Sequence, residues 1–123
     1  MRILLTAKGN TPDSQIDERF GRAEYFMIYD DQKDEYEAVE NSGKFENSGA
    51  GVRASQFVID QKVDGLITGA LGPKAYMIIN DVGIKTWKNQ VGTVEEVLNA
   101  HRQGELALIK KAGEEVKKRG QKK

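Results

Sequence analysis

The sequence of 123 residues predicts one α/β domain built on a mixed β-sheet. Three observations predict this class. Short segments rich in apolar, β-branched or aromatic residues dominate the first third of the chain, and beyond it such segments alternate with amphipathic segments of helical period. Glycine, proline or other turn residues mark the boundaries between them. A chain of this length buries roughly two thirds of its unfolded surface, so its core needs no disulfides, and it has no cysteine.

Three strands are predicted ahead of the first helix. The apolar run Arg2–Ala7 is the first of them and ends at a cluster of turn residues. The segments Glu24–Asp30 and Glu35–Glu40 are joined by the polar residues 31–34 and predict an antiparallel hairpin. In the second arm Tyr36 and Ala38 share one face and Glu35, Glu37 and Val39 share the other, so we expect this arm near an edge of the sheet.

Two helices and a strand follow the hairpin. Residues 50–61 have apolar positions at helical spacing and predict an amphipathic helix. The apolar segment Val63–Thr68 predicts a strand. Pro73 begins a second helix and Gly83 follows its end, because proline suits the first helical position and glycine suits the position after the last.

One more strand and one more helix complete the predicted domain. Ile84–Trp87 is the last strand, and the sequence TVEE at 93–96 is a capping box that begins a third helix. The predicted order is βββαβαβα, and the domain is expected to span residues 1–106. Residues 107–123 are expected to form a basic tail, partly helical or disordered, because glycines interrupt its thin apolar stripe.

Composition and charge exclude several classes of function. The 19 Lys and Arg balance 19 Asp and Glu, although acidic residues predominate in 1–106 and basic residues in 107–123. The tail lacks aromatic residues for base stacking, so nucleic acid is not an expected partner. The apolar N-terminal run is too short for a signal peptide or a membrane span, so we expect a cytoplasmic protein with no membrane partner. Without cysteine and with one histidine, the chain cannot form a thiolate or multi-histidine metal site.

The predicted topology directs every strand-to-helix loop to one edge of the sheet. The hairpin reverses direction twice, so strand three runs parallel to strand one, and right-handed crossovers make strands four and five parallel as well. Ligands bind at this carboxyl edge in open α/β sheets. Three helix N-termini there bring N–H groups and about half a positive charge each, which favours a small anionic ligand. Candidate side chains at this edge are Asn10, Arg19, Arg22, Asn41, Arg53 and Lys74, and further candidate positions are Gly49, Gly51, Gly69, Gly72 and Thr93.

No catalytic constellation emerges from the remaining polar residues. His101, the single histidine, lies on the apolar stripe of the third helix, where packing is favoured over metal binding. A two-metal nuclease needs several carboxylates aimed at one point from neighbouring strands; the first strand has none, and Asp13, Asp17 and Glu18 lie in a loop. The serines lack the strand-to-helix motif of hydrolytic nucleophiles. We therefore expect a non-enzymatic protein with no catalytic residues.

A series of short motifs resembles one known family. The motifs are FGRAEYF at 20–26, VEN at 39–41, GAG at 49–51, VDGLI at 63–67, GxxGPxA at 69–75, GIK at 83–85 and GTVEE at 92–96. In this order they resemble the dinitrogenase iron-molybdenum cofactor biosynthesis family over residues 1–106. The resemblance implies a three-layer, ribonuclease H-like fold. It further implies a five-stranded mixed sheet of order 3-2-1-4-5, with strand two antiparallel and helices on both faces.

The resemblance also implies a function. That family includes carriers and scaffolds that bind molybdenum- or iron-containing metal-sulfur clusters during nitrogenase cofactor assembly, so it implies a cluster or its precursor as ligand and an assembly protein as partner. Several relatives have histidine or cysteine in the loop before the first helix, whereas this sequence has KFENS at 44–48. A cluster would therefore be held without covalent bonds, by backbone N–H groups and arginines. A protein-interaction module with no cluster, and a metal-dependent nuclease or phosphoryl-transfer enzyme, stay open as alternatives.

Overall fold

The computed structural model describes residues 1–89 and 91–110. In this part of the chain, six strands form one sheet and three α-helices cover it. The strands are β1 (Arg2–Ala7), β2 (Tyr25–Asp30), β3 (Glu35–Glu40), β4 (Gly65–Thr68), β5 (Lys85–Lys88) and β6 (Ala107–Leu108), and the helices are α1 (Ala50–Asp60), α2 (Pro73–Asp81) and α3 (Val94–Arg102). A short 3-10 helix, Ser42–Phe45, precedes α1. None of these helices has an apolar stretch long enough to cross a bilayer.

The sheet has the order β3-β2-β1-β4-β5-β6. β2 pairs antiparallel with both β1 and β3, whereas β1 pairs parallel with β4 and β4 with β5. The order and directions expected for the first five strands are therefore confirmed. β3 is an edge strand, as its charge pattern predicts, and its Glu35, Glu37 and Glu40 are exposed.

The expectation of five strands is wrong, because a sixth strand follows α3. Ala107 and Leu108, which the sequence assigns to the tail, pair antiparallel with Lys88 and Trp87. The pairing continues where Ile109 N donates to the carbonyl of Thr86 at 2.7 Å. Residues 111–123 lie outside the described part of the chain, so partial helix or disorder there stays a prediction, as does the domain boundary at 106.

Helices cover both faces of the sheet and make three layers. One cluster of buried side chains joins the sheet to α1 and α2 and contains Leu4, Phe26, Ile28, Ala54, Val58, Leu66, Ala75 and Ile79. A second cluster joins the other face to α3 and contains Ile3, Leu5, Met27, Ile67, Val94, Val97 and Leu98. Successive residues of β1 enter opposite clusters, which explains why this strand is a continuous apolar run.

A long loop, residues 8–24, crosses the carboxyl edge of the sheet, and we call it the edge loop. Ile16 anchors it in the cluster beneath α3, and Phe20 anchors it in the cluster beneath α1 and α2. Backbone hydrogen bonds fix it further: Asp17 N donates to Thr6 O at 2.9 Å, and Ile16 N donates to Gly92 O at 2.8 Å. Because it passes from one layer to the other, the edge loop determines which helix N-termini stay open.

Candidate functional site

The N-terminus of α3 is closed by the protein itself. The capping box forms as predicted: Glu96 N donates to Thr93 Oγ1 at 3.1 Å, and Thr93 N donates to Glu96 Oε1 at 2.9 Å. The two N–H groups between these residues also have acceptors. Val94 N donates to the edge-loop carbonyl of Ser14, and Glu95 N to that of Pro12, at 2.9 Å each. The sequence predicted three open helix N-termini at this edge, but α3 does not provide one.

Thr93 therefore acts as a capping residue in this structure. We expect Thr93→Ala to lower the free energy of unfolding by about 1 kcal/mol, as for other lost N-caps, and to leave anion binding unchanged. Denaturant unfolding and an anion titration of the same variant measure the two effects. Thr93→Ser keeps the hydroxyl and serves as the control. Loss of anion binding at unchanged stability would contradict the capping role.

The N-termini of α1 and α2, in contrast, are adjacent, and we call them open because their first N–H groups have no acceptor in the described part of the chain. Their N-caps are Gly49 and Gly72, and neither has a side chain that could cap the helix. No acceptor within the described residues takes the N–H groups of the first turns, which belong to Ala50, Gly51, Val52, Lys74 and Ala75. The helices approach closely here, since a Cβ added at Gly51 would lie 3.7 Å from that of Ala75. We call residues 49–52 and 72–75 together the paired N-termini.

The edge loop forms a wall beside the paired N-termini. Gly21 packs directly on the start of α1, because a Cβ there would lie 2.7 Å from Gly51 N and 2.8 Å from Ala50 C. Two helix dipoles end side by side at this point, each equivalent to about half a positive charge. Gly49 has a φ of 78°, in the left-handed region that favours glycine. The arrangement suits a small anion that accepts hydrogen bonds from backbone N–H groups.

A buried ion pair lies in the same stretch of the edge loop. The side chain of Asp17 is fully buried, with 0% exposed, whereas that of Arg19 is 52% exposed. Arg19 donates from Nε to Asp17 Oδ1 at 2.9 Å and from NH2 to Asp17 Oδ2 at 2.8 Å. Backbone N–H groups of Arg19 and Glu24 donate to the same carboxylate at 3.1 and 3.2 Å. All four donors converge on Asp17.

These donors determine the charge state of Asp17. Burial raises the pKa of the Asp17 carboxyl, but the hydrogen bonds from Arg19, its positive charge and the N–H group of Glu24 outweigh burial and leave the pKa below its ordinary value. The same pairing raises the pKa of Arg19. Both groups are therefore ionised at neutral pH.

Arg19 lies beside the loop that leads into α2. Its backbone forms a parallel bridge with Ala70. Gly69 packs against the backbone of Glu18, because a Cβ at Gly69 would overlap the carbonyl oxygen of Glu18 and lie 2.8 Å from its Cα. Gly69, a candidate binding residue by sequence, therefore permits the close approach of the edge loop to the end of β4.

Two further candidates connect segments of the protein. Asn41 Nδ2 donates to the carbonyls of Gly21 and Ala23 at 3.0 and 2.9 Å, and its Oδ1 accepts from Gly43 N at 3.1 Å. This buried amide is occupied in joining the edge loop to the 3-10 helix. Arg22 donates from NH1 to the carbonyl of Lys44 at 2.8 Å and links the same two segments, but its side chain stays exposed.

The last three candidate side chains are all exposed. Arg53, in the first half of α1, pairs with Glu46, which precedes the helix; NH1 and Oε2 are 3.3 Å apart. Lys74 lies in the first turn of α2, within the paired N-termini. Asn10 lies in the part of the edge loop that closes α3, where Pro12 and Ser14 supply the acceptors. The structure thus brings Gly49, Gly51, Gly72 and Lys74 together, with Arg19 beside the approach to α2, and places Asn10 and Thr93 at α3.

Comparison with known proteins now assigns the family. The family model described as "Dinitrogenase iron-molybdenum cofactor" matches residues 1–104. The chain belongs to the dinitrogenase iron-molybdenum cofactor family. The family resemblance carried by the sequence motifs is confirmed.

Two similar proteins of known structure share this fold, and a further relative is similar in sequence. The apo form of the orange protein from Desulfovibrio gigas is 30% identical, with a TM-score of 0.86 over 92% of this chain and 96% of that one. A NifB-like protein from Thermotoga is 31% identical, with a TM-score of 0.80 over 93% and 97% of the two chains. An uncharacterized protein of Methanocaldococcus jannaschii is 28% identical over 109 residues, which are 86% of this chain and 89% of that protein.

Residues 1–89 and 91–110 of this member of the dinitrogenase iron-molybdenum cofactor family contain no cluster of metal-ligating side chains. No group of three or more His, Cys, Asp or Glu there is placed to hold a metal ion. His101 packs edge-on against Trp87, with ring centroids 4.3 Å apart, and burial lowers its pKa. The sequence interpretation of His101 as a packed helix residue agrees with this contact.

Sequence reasoning missed two residues that shape the site of this family member. The sequence placed Asp17 only as a loop carboxylate, and Gly21 only as part of the motif at 20–26. The spacing Asp-x-Arg at 17–19 is the local signal for the pair, because a carboxylate two residues before an arginine can reach its guanidinium. No local signal identifies Gly21, since its role depends on α1, which begins 29 residues later.

Proposed function

We propose that this protein is a non-enzymatic binding or carrier protein for a small anionic ligand of the metal-sulfur class. The ligand would be a molybdenum- or iron-containing cluster or its precursor, such as a thiometallate. The observation that carries the proposal is the pair of open, glycine-capped N-termini of α1 and α2 at the carboxyl edge of the sheet. Membership of the dinitrogenase iron-molybdenum cofactor family supports this class of ligand.

The donors at the paired N-termini suit an anion better than a bare metal ion. Backbone N–H groups donate hydrogen bonds to sulfur or oxygen atoms, and the helix dipoles add favourable potential. Protein bonds to the metals of a metal-sulfur cluster come mainly from thiolate and, less often, imidazole ligands, and the whole chain has no cysteine and one histidine. The ligand would therefore arrive with its own sulfur or oxygen shell and keep it.

Binding of this kind also suits a carrier. A cluster held by thiolates leaves only when metal-ligand bonds are exchanged, whereas one held by hydrogen bonds leaves when those bonds are replaced by water or by another protein. Release to a partner in cofactor assembly then requires no chemistry at the metal. The residues of this chain would bind and orient the ligand, and no bond of the ligand is made or broken.

The test is a titration of ¹⁵N-labelled protein with tetrathiomolybdate, molybdate and phosphate, followed by amide chemical shifts. We expect the amides of residues 50–52 and 74–75 to shift with at least one anion, because no acceptor in residues 1–89 and 91–110 takes their N–H groups. The amides of Val94 and Glu95 are the internal control, because the edge loop already accepts their hydrogen bonds. Unchanged shifts at the paired N-termini with all three anions would refute the proposal.

A further inference from the structure

We infer that Asp17 is a positioning residue, which holds the guanidinium of Arg19 with one edge facing the ligand of the paired N-termini. The inference rests on the proposed function and adds two side chains to a site otherwise made of backbone. Asp17 lies within the protein and Arg19 extends from it into solvent, with side-chain exposures of 0% and 52%. The carboxylate therefore lies behind the guanidinium, on the protein side.

The hydrogen bonds fix the plane of the guanidinium. Asp17 occupies Nε and NH2 of Arg19 through two parallel bonds of 2.9 and 2.8 Å, the geometry in which arginine and carboxylate hold each other in one orientation. The carboxylate itself is held by the backbone N–H groups of Arg19 and Glu24. The remaining nitrogen, NH1, has no acceptor among the described residues. One edge of the cation is thus anchored. The Glu24 carboxylate lies 4.0 Å from NH2, beyond hydrogen-bond distance, and NH1 stays open.

The backbone of Arg19 lies next to the segment that leads into α2. The backbone of Arg19 bridges to Ala70, and Gly69 lies against the backbone of Glu18. Ala70 is two residues before Gly72, the N-cap of α2. An anion that accepts hydrogen bonds from Lys74 and Ala75 would therefore find an immobilised cation beside it, and Arg19 need not lose side-chain freedom on binding.

Charge and position predict opposite effects when Asp17 is neutralised. If Asp17 acted only through its charge, Asp17→Asn would remove a negative group from the neighbourhood and strengthen anion binding. If Asp17 positions Arg19, the same substitution breaks the bidentate pair, lets the guanidinium move, and weakens binding. The sign of the change separates the two roles.

The experiment measures tetrathiomolybdate affinity, with molybdate and phosphate alongside, for the wild type, Asp17→Asn, Arg19→Ala and the double variant. We expect Arg19→Ala to weaken binding about tenfold, the effect of a partly exposed charge-assisted hydrogen bond. We expect Asp17→Asn to weaken it about threefold or more, and to add nothing when Arg19 is already alanine. Arg19→Lys keeps the charge without the fork and should resemble Asp17→Asn.

Two controls separate positioning from folding. Arg102→Ala removes the same charge from the far end of α3, where Arg102 donates to Tyr29, and should leave the affinity unchanged. The Nε–H signal of Arg19 reports on the pair without any ligand, and we expect it to be sharp and slow to exchange in the wild type and lost in Asp17→Asn.

Several results would overturn the inference. Tighter anion binding by Asp17→Asn would do so, and so would an unchanged affinity of Arg19→Ala. A third such result is an equal loss of affinity from Asp17→Asn in the wild type and in Arg19→Ala, because it would show that Asp17 only maintains the fold. All three leave the proposed function standing, because the wild type still binds. A wild type that binds none of the three anions would instead refute both proposals.

Discussion

Gly69→Ala is expected to lower the free energy of unfolding by about 1 to 3 kcal/mol, the usual cost of forcing extra atoms into a packed interior. A Cβ at this buried position would overlap the carbonyl oxygen of Glu18 and come within 2.8 Å of its Cα. These are backbone atoms, so they cannot rotate away as a flexible side chain would. The edge loop must move as a whole or the end of β4 must distort.

Denaturant unfolding of Gly69→Ala and Gly72→Ala, compared with the wild type, measures this effect. Gly72 is the matched control three residues later, because its φ is −69° and a Cβ there would meet nothing within 4 Å. We expect Gly72→Ala to cost less, about 1 kcal/mol at most, because alanine is a poorer N-cap than glycine but adds no overlap. Equal effects of the two substitutions would show that the edge loop is not packed on Gly69 as described.

Asp17→Ala is expected to lower the free energy of unfolding by about 2 to 4 kcal/mol at pH 7. Loss of one partner from a fully buried ion pair costs about 3 to 5 kcal/mol, and the half-exposed Arg19 lowers this figure because water can solvate it after the substitution. The N–H group of Glu24 also loses its acceptor. Denaturant unfolding at pH 7 measures the effect.

The cost of Asp17→Ala should fall in acid. The pKa of Asp17 is lowered in the folded protein, so its ionised form stabilises the fold fully above the unfolded-state pKa of about 4. That contribution is lost as the pH falls below about 4 toward the folded-state pKa. The difference between wild type and variant should therefore shrink over this range in a series of unfolding curves.

Glu18→Ala is the control for Asp17→Ala, because Glu18 is an exposed carboxylate in the same loop. We expect it to change the free energy of unfolding by less than about 0.5 kcal/mol. A cost of Asp17→Ala that stayed constant from pH 7 to pH 3, or a Glu18→Ala cost of the same size, would contradict the ion-pair account.

Local chemistry made much of the fold predictable from the sequence. The capping box at Thr93 forms with both of its hydrogen bonds, because its residues lie within one turn and need no distant partner. Pro73 begins α2 for the same reason. The parallel arrangement of β1, β4 and β5 followed from the element order and the handedness of crossovers. These features depend on short segments or on general rules of topology.

The features that were missed depend on contacts between distant segments. β6 has two residues, too few for a period, and its pairing with β5 depends on how the chain returns after α3. The closure of α3 depends on carbonyls of Pro12 and Ser14, about 80 residues earlier in the chain. A sequence pattern can place a helix N-terminus at an edge of the sheet, but it does not indicate whether another loop already occupies it.

The glutamates of β3 have a consequence for the behaviour of the protein in solution. An unpaired border strand exposes N–H and C=O groups that could join two sheets from different molecules into one. Glu35, Glu37 and Glu40 are all exposed on this strand, so two copies approaching border to border would bring like charges together at the distance of a strand pair. Mutual repulsion therefore opposes sheet-to-sheet polymerisation on the side of β3 that no other strand in the described part of the chain covers.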